Sequence, residues 1–324
     1  MTLTPDRAVR ILDLGAKRSA FSIPALVKYL RDERPFALIS AQHFANVSAV
    51  IARALARQHT RLILTERLSI DEALKRDHGI RALVLPHLMR LLYGRADAVV
   101  ANAGDSADRL GEMLGWARGR VRTIYNPTFD PSIRLMAEEQ VAEGWFSTGE
   151  PPVVLSVGRL APQKDFGSLI RAFVAMKSKI DCRLVIIGDG PERSILEALA
   201  RELGVADSVE LPGHRLNPYS YMSRAAVFVL ASRYEGLPNV FIEAQACGVP
   251  VLSTDCPTGP REILMDGSAG VLVAVGDVGA MAEQGVLLLT DRAFAQGLAD
   301  EATAHLFRFH PEVCYQAYLE ILES

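Results

Sequence analysis

The sequence predicts an α/β protein built from two parallel-sheet domains, and three observations predict it. Short β-branched runs alternate with stretches of helical periodicity along the whole chain, the pattern of strand-helix-strand crossovers with helices on both faces of a sheet. The 324 residues, 49% of them apolar, exceed the size at which one hydrophobic core stops growing. The rhythm then breaks where Asn126-Pro127, Asp130-Pro131, Gly149 and Pro151-Pro152 cluster. A first domain is therefore expected over residues 1–126, a connection with an embedded helical piece over 127–150, a second domain over 151–306, and a last helix over 307–324 that can return to the first domain.

In the first half, strands are predicted over Val9 to Leu14, Ala37 to Ser40, Leu62 to Thr65, Ala98 to Ala101 and Val121 to Tyr125. A helix should begin with Ser22 as N-cap, since Ile23, Leu26, Val27 and Leu30 share one face, and should stop before Pro35. Another is expected from about Asn46 to Arg57. The second half restarts on the wholly apolar Val153 to Val157 and continues with Leu184 to Ile187, Val209 to Leu211, Val227 to Leu230, Val251 to Ser253 and Gly270 to Val273. Runs so short and so apolar suit strands buried on both faces.

Composition excludes several classes. A net charge of −3 offers no basic excess for a phosphate backbone, so nucleic acid is not an expected partner. Cys182, Cys247, Cys256 and Cys314 are too sparse for a disulfide framework and lack the C-x-x-C pairing of a zinc or redox site. The histidines are scattered without ligand spacing, so no metal and no cofactor are expected. There is no basic-then-apolar leader at the N-terminus and no run of roughly 20 apolar residues. A cytoplasmic protein, or one peripheral at the inner face of a membrane, is expected.

The sharpest constellation is Tyr234-Glu235-Gly236-Leu237-Pro238-Asn239-Val240-Phe241-Ile242-Glu243-Ala244, directly after the strand Val227 to Leu230. Proline is tolerated in a first helical turn because its missing N–H is not needed there, so Glu235 should lie in the loop ahead of a helix and Glu243 more than one turn inside it. Carboxylates so placed can accept hydrogen bonds from sugar hydroxyls, while the amides of Asn239 and Val240 are available to a phosphate. Gly188-Asp189-Gly190 follows a strand and precedes a helix, but it lacks the third glycine and the downstream acid of a dinucleotide fingerprint.

The run from Val229 to Val251 closely resembles the donor-binding signature of the retaining GT-B glycosyltransferases of family 4. Ser156-Val157-Gly158-Arg159-Leu160 with Lys164, and Leu184 to Glu192, agree with that family in order and spacing. Asp255-Cys256-Pro257-Thr258-Gly259-Pro260-Arg261-Glu262-Ile263 looks like the members that build bacterial surface polysaccharides and lipid-linked glycans. The resemblance implies a GT-B architecture, two Rossmann-like domains facing a cleft. It implies transfer of a hexose from a nucleotide diphosphate sugar, a UDP-sugar, to a glycan or polyprenyl-linked acceptor with retention.

By the same resemblance, Arg159 and Lys164, beside Gly158, hold the donor diphosphate. Glu243 binds the ribose, Glu235 contacts the transferred sugar, and Leu237, Asn239 and Val240 line the donor. Gly213-His214-Arg215 matches the segment framing the nucleotide base, and it reads equally as a plain turn. Many relatives carry glycine where Pro238 stands. Alternatives from other classes are a non-catalytic nucleotide-sugar-binding remnant and an epimerase or phosphorylase on a related architecture.

The first half is less diagnostic. Glu66 and Arg67, just past a strand, fall where relatives place a residue facing the transferred sugar, and Arg67 suits either that role or a surface ion pair. Residues Ile80 to Arg95 read first as a covering helix with an arginine-flanked apolar face, and are compatible with contact to an anionic membrane. Relatives begin with a strand, a Gly-Gly loop and a helix before the segment that Val9 to Leu14 resembles, so the first domain is expected without its N-terminal β-α-β portion.

Overall fold

The structure, a computed structural model, describes residues 10–67, 80–141, 144–147 and 149–324. The chain divides into two compact units, one reaching to Tyr125 and including Gln316–Ser324, the other Asn126–Tyr315.

The first unit is a four-stranded sheet, β1 (Ala37–Ala41), β2 (Arg61–Glu66), β3 (Ala98–Ala101) and β4 (Arg122–Thr123), parallel throughout and in the order β1-β2-β3-β4. Its core gathers Leu62, Leu64, Val99 and Ala101 from the strands with Val50, Met89, Tyr93 and Leu110 from the helices that cover them. The helix Ile80–Leu92 turns Leu85, Met89 and Leu92 inward, a spacing of four and three, and leaves Leu83, Val84 and Leu91 exposed. The helix Pro311–Glu323 ends among the residues of this unit, where Leu322 O accepts from the Arg61 guanidinium.

Three elements of the first half differ from expectation. Residues 10–14 form no strand: they leave the open edge of β1 unpaired, and Ile11 and Leu12 are exposed. Ser22 does precede the helix Ile23–Glu33, but its hydroxyl donates to Ser19 O instead of capping, because a short 3-10 turn occupies Ser19–Ser22. The next helix starts at His43, three residues early, after Gln42 takes a positive φ of 76°.

The second unit is a six-stranded parallel sheet in the order β10-β9-β8-β5-β6-β7, with β5 Val153–Val157, β6 Arg183–Ile187, β7 Val209–Gly213, β8 Val227–Leu230, β9 Val251–Thr254 and β10 Val271–Val273. Winding proceeds from β5 through β6 to β7, then reverses from β8 to β10, so the topological switch lies between β5 and β8. In open sheets of this kind the crevice beyond the strand ends at that switch is where ligands bind. The β5–β8 ladder stops at the pair Leu155 and Phe228, whereas β5 stays paired with β6 as far as Val157. Past that point the fully buried Ser156 donates its hydroxyl to Val229 O at 2.6 Å, a last link before the two strand ends part.

Helices seal both faces. In Phe166–Lys177 the residues Phe166, Leu169, Ile170 and Phe173 make one apolar stripe and are all fully buried. Phe241 of Asn239–Ala246 meets Phe228 of β8 edge to face at 6.2 Å between ring centroids. The described residues of 127–150, expected as a connection, pack on this unit instead. Arg183 stacks on Trp145 and pairs with Glu150, Phe146 meets Tyr221, and the Ser223 hydroxyl donates to Ala137 O. The prolines and glycine that break the rhythm flank two short helical pieces, Ser132–Ala137, which buries Ile133 and Ala137, and Gly144–Phe146.

The loops beyond β5, β6 and β7 are fastened to one another. Gly158 N donates to Ile187 O, Gly188 N to Gly213 O, and Leu160 N to Asp189 O. The approach is so close that a Cβ on Gly188 would lie 1.9 Å from Gly158 O, and one on Gly190 would lie 2.3 Å from Leu160 O. Arg193 completes the knot, donating to Leu211 O and Gly188 O. Gly188-Asp189-Gly190 is thus a close-packing device. Gly188→Ala should cost several times as much as Gly204→Ala. At Gly204 φ is +69° but nothing lies within 4 Å, and the left-handed conformation alone accounts for a loss of about 1 kcal/mol. Urea titration of both variants measures the two losses.

Candidate functional site

The loop after β5 carries Gly158, Arg159 and Lys164, and the loop after β8 carries Ser232 to Pro238, so the two flank the switch point. Lys164 Nζ donates to Glu235 Oε1 at 2.7 Å, with only 16% and 7% of the two side chains exposed. Ser232 Oγ donates to the same oxygen at 2.6 Å, and Oε2 accepts no hydrogen bond among the described residues. An ammonium has three donors, and Glu235 takes one of them.

Several contacts brace this pair. Gln163 Nε2 donates to Tyr234 O at 2.9 Å and Arg233 N to Gln163 O, joining the two loops. Asp165 caps the helix Phe166–Lys177 by accepting from Ser168 N, and its other oxygen accepts from Arg233 Nε. A Cβ on Gly158 would meet the Lys164 side chain at 3.3 Å, so a larger residue there would press on the ammonium's stem.

Pro238 is the residue before the helix Asn239–Ala246, with φ −74° and ψ 88°. Phe241 N donates to Pro238 O, so helical bonding begins there and the amides of Asn239 and Val240 stand ahead of it. Asn239 is exposed and its Oδ1 accepts from Asn126 Nδ2, Val240 is half-buried, and Leu237 is buried. Glu243 lies one turn inside the helix, partly buried, and its carboxylate has no hydrogen-bond or ion partner among the described residues. Burial raises its pKa from the ordinary 4.5 to about 7. Burial, and then the Glu243 charge, push Cys247 and Tyr219 each up to about 12.

Two family descriptions match the chain: Glycosyl transferases group 1 over residues 138–305 and Glycosyltransferase Family 4 over residues 3–128. The chain belongs to the group 1 glycosyl transferases. It is 32% identical, over 79% of its length and 68% of the relative's, to the N-acetylgalactosamine-N,N'-diacetylbacillosaminyl-diphospho-undecaprenol 4-alpha-N-acetylgalactosaminyltransferase of Campylobacter jejuni. It is 33% identical, over 72% of its length and 67% of the relative's, to the lipopolysaccharide core biosynthesis glycosyltransferase LpsE of Rhizobium meliloti. The chain therefore spans about two thirds of each of these two relatives. Among solved structures, Anabaena HepE in complex with UDP and glucose shares the GT-B fold with a TM-score of 0.77 and 20% identity, covering 93% of this chain and 81% of that one.

In this glycosyl transferase, then, Lys164 and Glu235 meet directly, with Ser232 as a third member. Glu243 sits on the helix that follows. Arg159 is exposed at the end of β5 and makes no ion pair among the described residues. Of the segment after β7, Gly213 ends the strand with φ +84°, His214 is exposed, and Arg215 is turned back onto its own unit, donating to Tyr221 Oη at 3.0 Å and to Pro212 O. Ser232 was not singled out from sequence although the spacing Ser-x-x-Glu in a loop was there to read. The contacts of Gln163 with Tyr234 and of Asp165 with Arg233 carried no signal, since the partners lie 71 and 68 residues away.

In the first unit Glu66 is buried. Its Oε1 accepts from Tyr93 Oη at 2.5 Å and Asn46 Nδ2 at 2.8 Å, and His43 Nδ1 lies 3.9 Å from Oε2. Burial, reinforced by the Glu66 charge, raises the Tyr93 pKa well above its ordinary value. Arg67 is exposed at the end of β2. Among the described residues no group of three or more His, Cys, Asp or Glu side chains is placed to hold a metal ion, and no helix is long and apolar enough to cross a membrane.

The Glu243 shift fixes a pH dependence. The folded state holds this proton more tightly than the unfolded state, so the carboxyl lowers stability progressively as pH rises from about 4.5 through about 7, and the penalty is complete above that. Glu243→Gln removes it. The variant should gain on the wild type across that window, by up to about 3 kcal/mol at pH 8, and should match it near pH 4.5. Thermal melts at a series of pH values measure the difference.

Proposed function

We propose that this glycosyl transferase moves a hexose from a UDP-sugar to a glycan or lipid-linked acceptor, with retention and without a metal or other cofactor. The observation that carries the reading is the Lys164–Glu235 pair at the switch point of the second unit, followed one turn inside the next helix by a carboxylate that has no partner among the described residues. Lys164 keeps two donors for a diphosphate while bound to Glu235, and Arg159 adds a guanidinium from the same loop. Positive charge placed there stabilises the diphosphate as it leaves the sugar.

Each carboxylate then has a distinct duty. Glu235, restrained on one oxygen by Lys164 and Ser232, presents the other to the hydroxyls of the transferred sugar and the positive charge that develops at its ring. Glu243, desolvated and unpaired, accepts from the ribose hydroxyls, which repay part of its burial. The amides of Asn239 and Val240 offer a second set of donors to phosphate despite Pro238. His214 and Gly213 border the base.

The acceptor belongs to the first unit in this reading. Arg67 is the exposed group there, and Glu66, bound by Tyr93 and Asn46, holds the end of β2 in place beside it. The exposed Leu83, Val84 and Leu91 give that unit an apolar stripe suited to peripheral contact with a membrane carrying a lipid-linked acceptor. The Campylobacter relative, by its name, acts on a diphospho-undecaprenol-linked substrate, and HepE has been seen with UDP and glucose, which supports the choice of donor and acceptor class.

Lys164→Ala should weaken UDP binding by about tenfold to a hundredfold and uridine binding by less than about threefold, because only UDP presents phosphates to the ammonium. Glu243→Ala should weaken both alike. Isothermal calorimetry with the two ligands on each variant tests this, and since both ligands meet the same protein, any loss of stability in a variant cancels in the ratio. An equal loss of UDP and uridine for Lys164→Ala would remove the phosphate role. Product analysis with a panel of UDP-sugars, with and without inorganic phosphate, separates transfer from phosphorolysis.

A further inference from the structure

The segment from Asp255 to Ile263 follows β9 and, in its central residues, makes contacts that the reading above does not use. Thr258, 3% exposed, donates its hydroxyl to Glu235 O at 2.6 Å. It does so from φ +64°, a conformation that a β-branched side chain adopts only under strain. Gly259 follows at φ +88°, and a Cβ there would lie 2.2 Å from Gly236 O and 2.6 Å from Pro238 Cδ. At the end of β9, Thr254 Oγ1 donates to Ser232 O at 2.6 Å, and Ser232 is the residue whose hydroxyl reaches Glu235 Oε1.

We propose that Thr258 is a positioning residue for Glu235: its hydroxyl, held in a strained left-handed turn against Gly236, fixes the Glu235 carbonyl and so keeps the carboxylate on Lys164 and Ser232 with its second oxygen turned to the donor sugar. The argument rests on the donor-site reading. A carboxylate in a loop can swing about its own Cα unless the backbone on either side is tied. Ser232 is tied by Thr254 on the upstream side, and Glu235 itself is tied by Thr258. The strain at Thr258 persists because both tethers and the close approach of Gly259 over-determine the turn, which is how strained backbone survives at a working site.

Thr258 touches no reacting atom, so its effect should appear in turnover and not in nucleotide affinity. The full chain and its Thr258→Val, Thr258→Ala and Thr258→Ser variants are compared in three measurements: UDP affinity by calorimetry, UDP release from a panel of UDP-sugars, and amide hydrogen exchange at Arg233 and Phe241. The alanine variant serves in case valine does not fold. The valine or alanine variant should hold UDP within about threefold of wild type and lose about tenfold to a hundredfold in kcat with KM little changed. The bonded amides of Arg233 and Phe241, on either side of the tethered turn, should exchange at least about tenfold faster. Thr258→Ser should match wild type in all three.

Exchange and kcat within about twofold of wild type in the valine and alanine variants would overturn the proposal. So would parallel losses of melting temperature, UDP affinity and kcat that serine does not rescue, since those mark a structural role alone. A wild type that neither binds UDP nor releases it would instead remove the donor reading, and unchanged exchange in the variants would then still overturn the tether.

Discussion

The candidate site of the second unit is organised around one largely buried contact, the ion pair between Lys164 and Glu235. Withdrawing an ammonium and a carboxylate from water costs several kcal/mol for each, and attraction between them compensates only when geometry is good and the remaining lone pairs are engaged. Here the geometry is supplied by the parting of β5 and β8, which leaves room beyond the sheet for two loops to face each other. Ser232 shares the load on Oε1, and Gln163 and Asp165 brace the loops from outside. The charge is thus compensated but not fully satisfied, which is the state a ligand site requires before its ligand arrives.

The supports divide into two kinds. Beyond β5, β6 and β7 the loops are joined backbone to backbone, and glycine is needed at 188 and 190 because carbonyls pass where a Cβ would be. Beyond β8 and β9 the joining is done largely by hydroxyls, from Ser232, Thr254 and Thr258. Both kinds set the positions of the side chains that the proposed function assigns to one crevice.

Much of this was legible in the sequence. All ten strands of the two sheets coincide with predicted runs, because fully buried parallel strands are short, apolar and bounded by glycine and proline, and the sequence from Gly158 to Glu262 resembles a family whose description matches residues 138–305. What was not legible was relational. An apolar run suggested a strand at Val9 to Leu14, but a strand also needs a partner in register, and residues 10–14 pair with none. Proline and glycine marked 127–150 as irregular without revealing that Trp145, Phe146 and Ala137 pack on the second unit. Likewise a string of letters gives no sign that Lys164 and Glu235 share an oxygen contact, or that Glu66 is bound by Tyr93 rather than exposed beside Arg67.

Arg193 has a bearing on how this unit can respond to an occupant. By gripping Leu211 O and Gly188 O while Gly158 and Leu160 are bonded to the same turn, it welds three strand ends into a single stiff rim. Rotating a hydroxyl or an ammonium needs far less reorganisation than breaking a row of hydrogen bonds between neighbouring peptide groups. At the proposed donor site, adjustment to an occupant therefore falls to side-chain rotation, as at the exposed Arg159, while the backbone of the rim stays where it is.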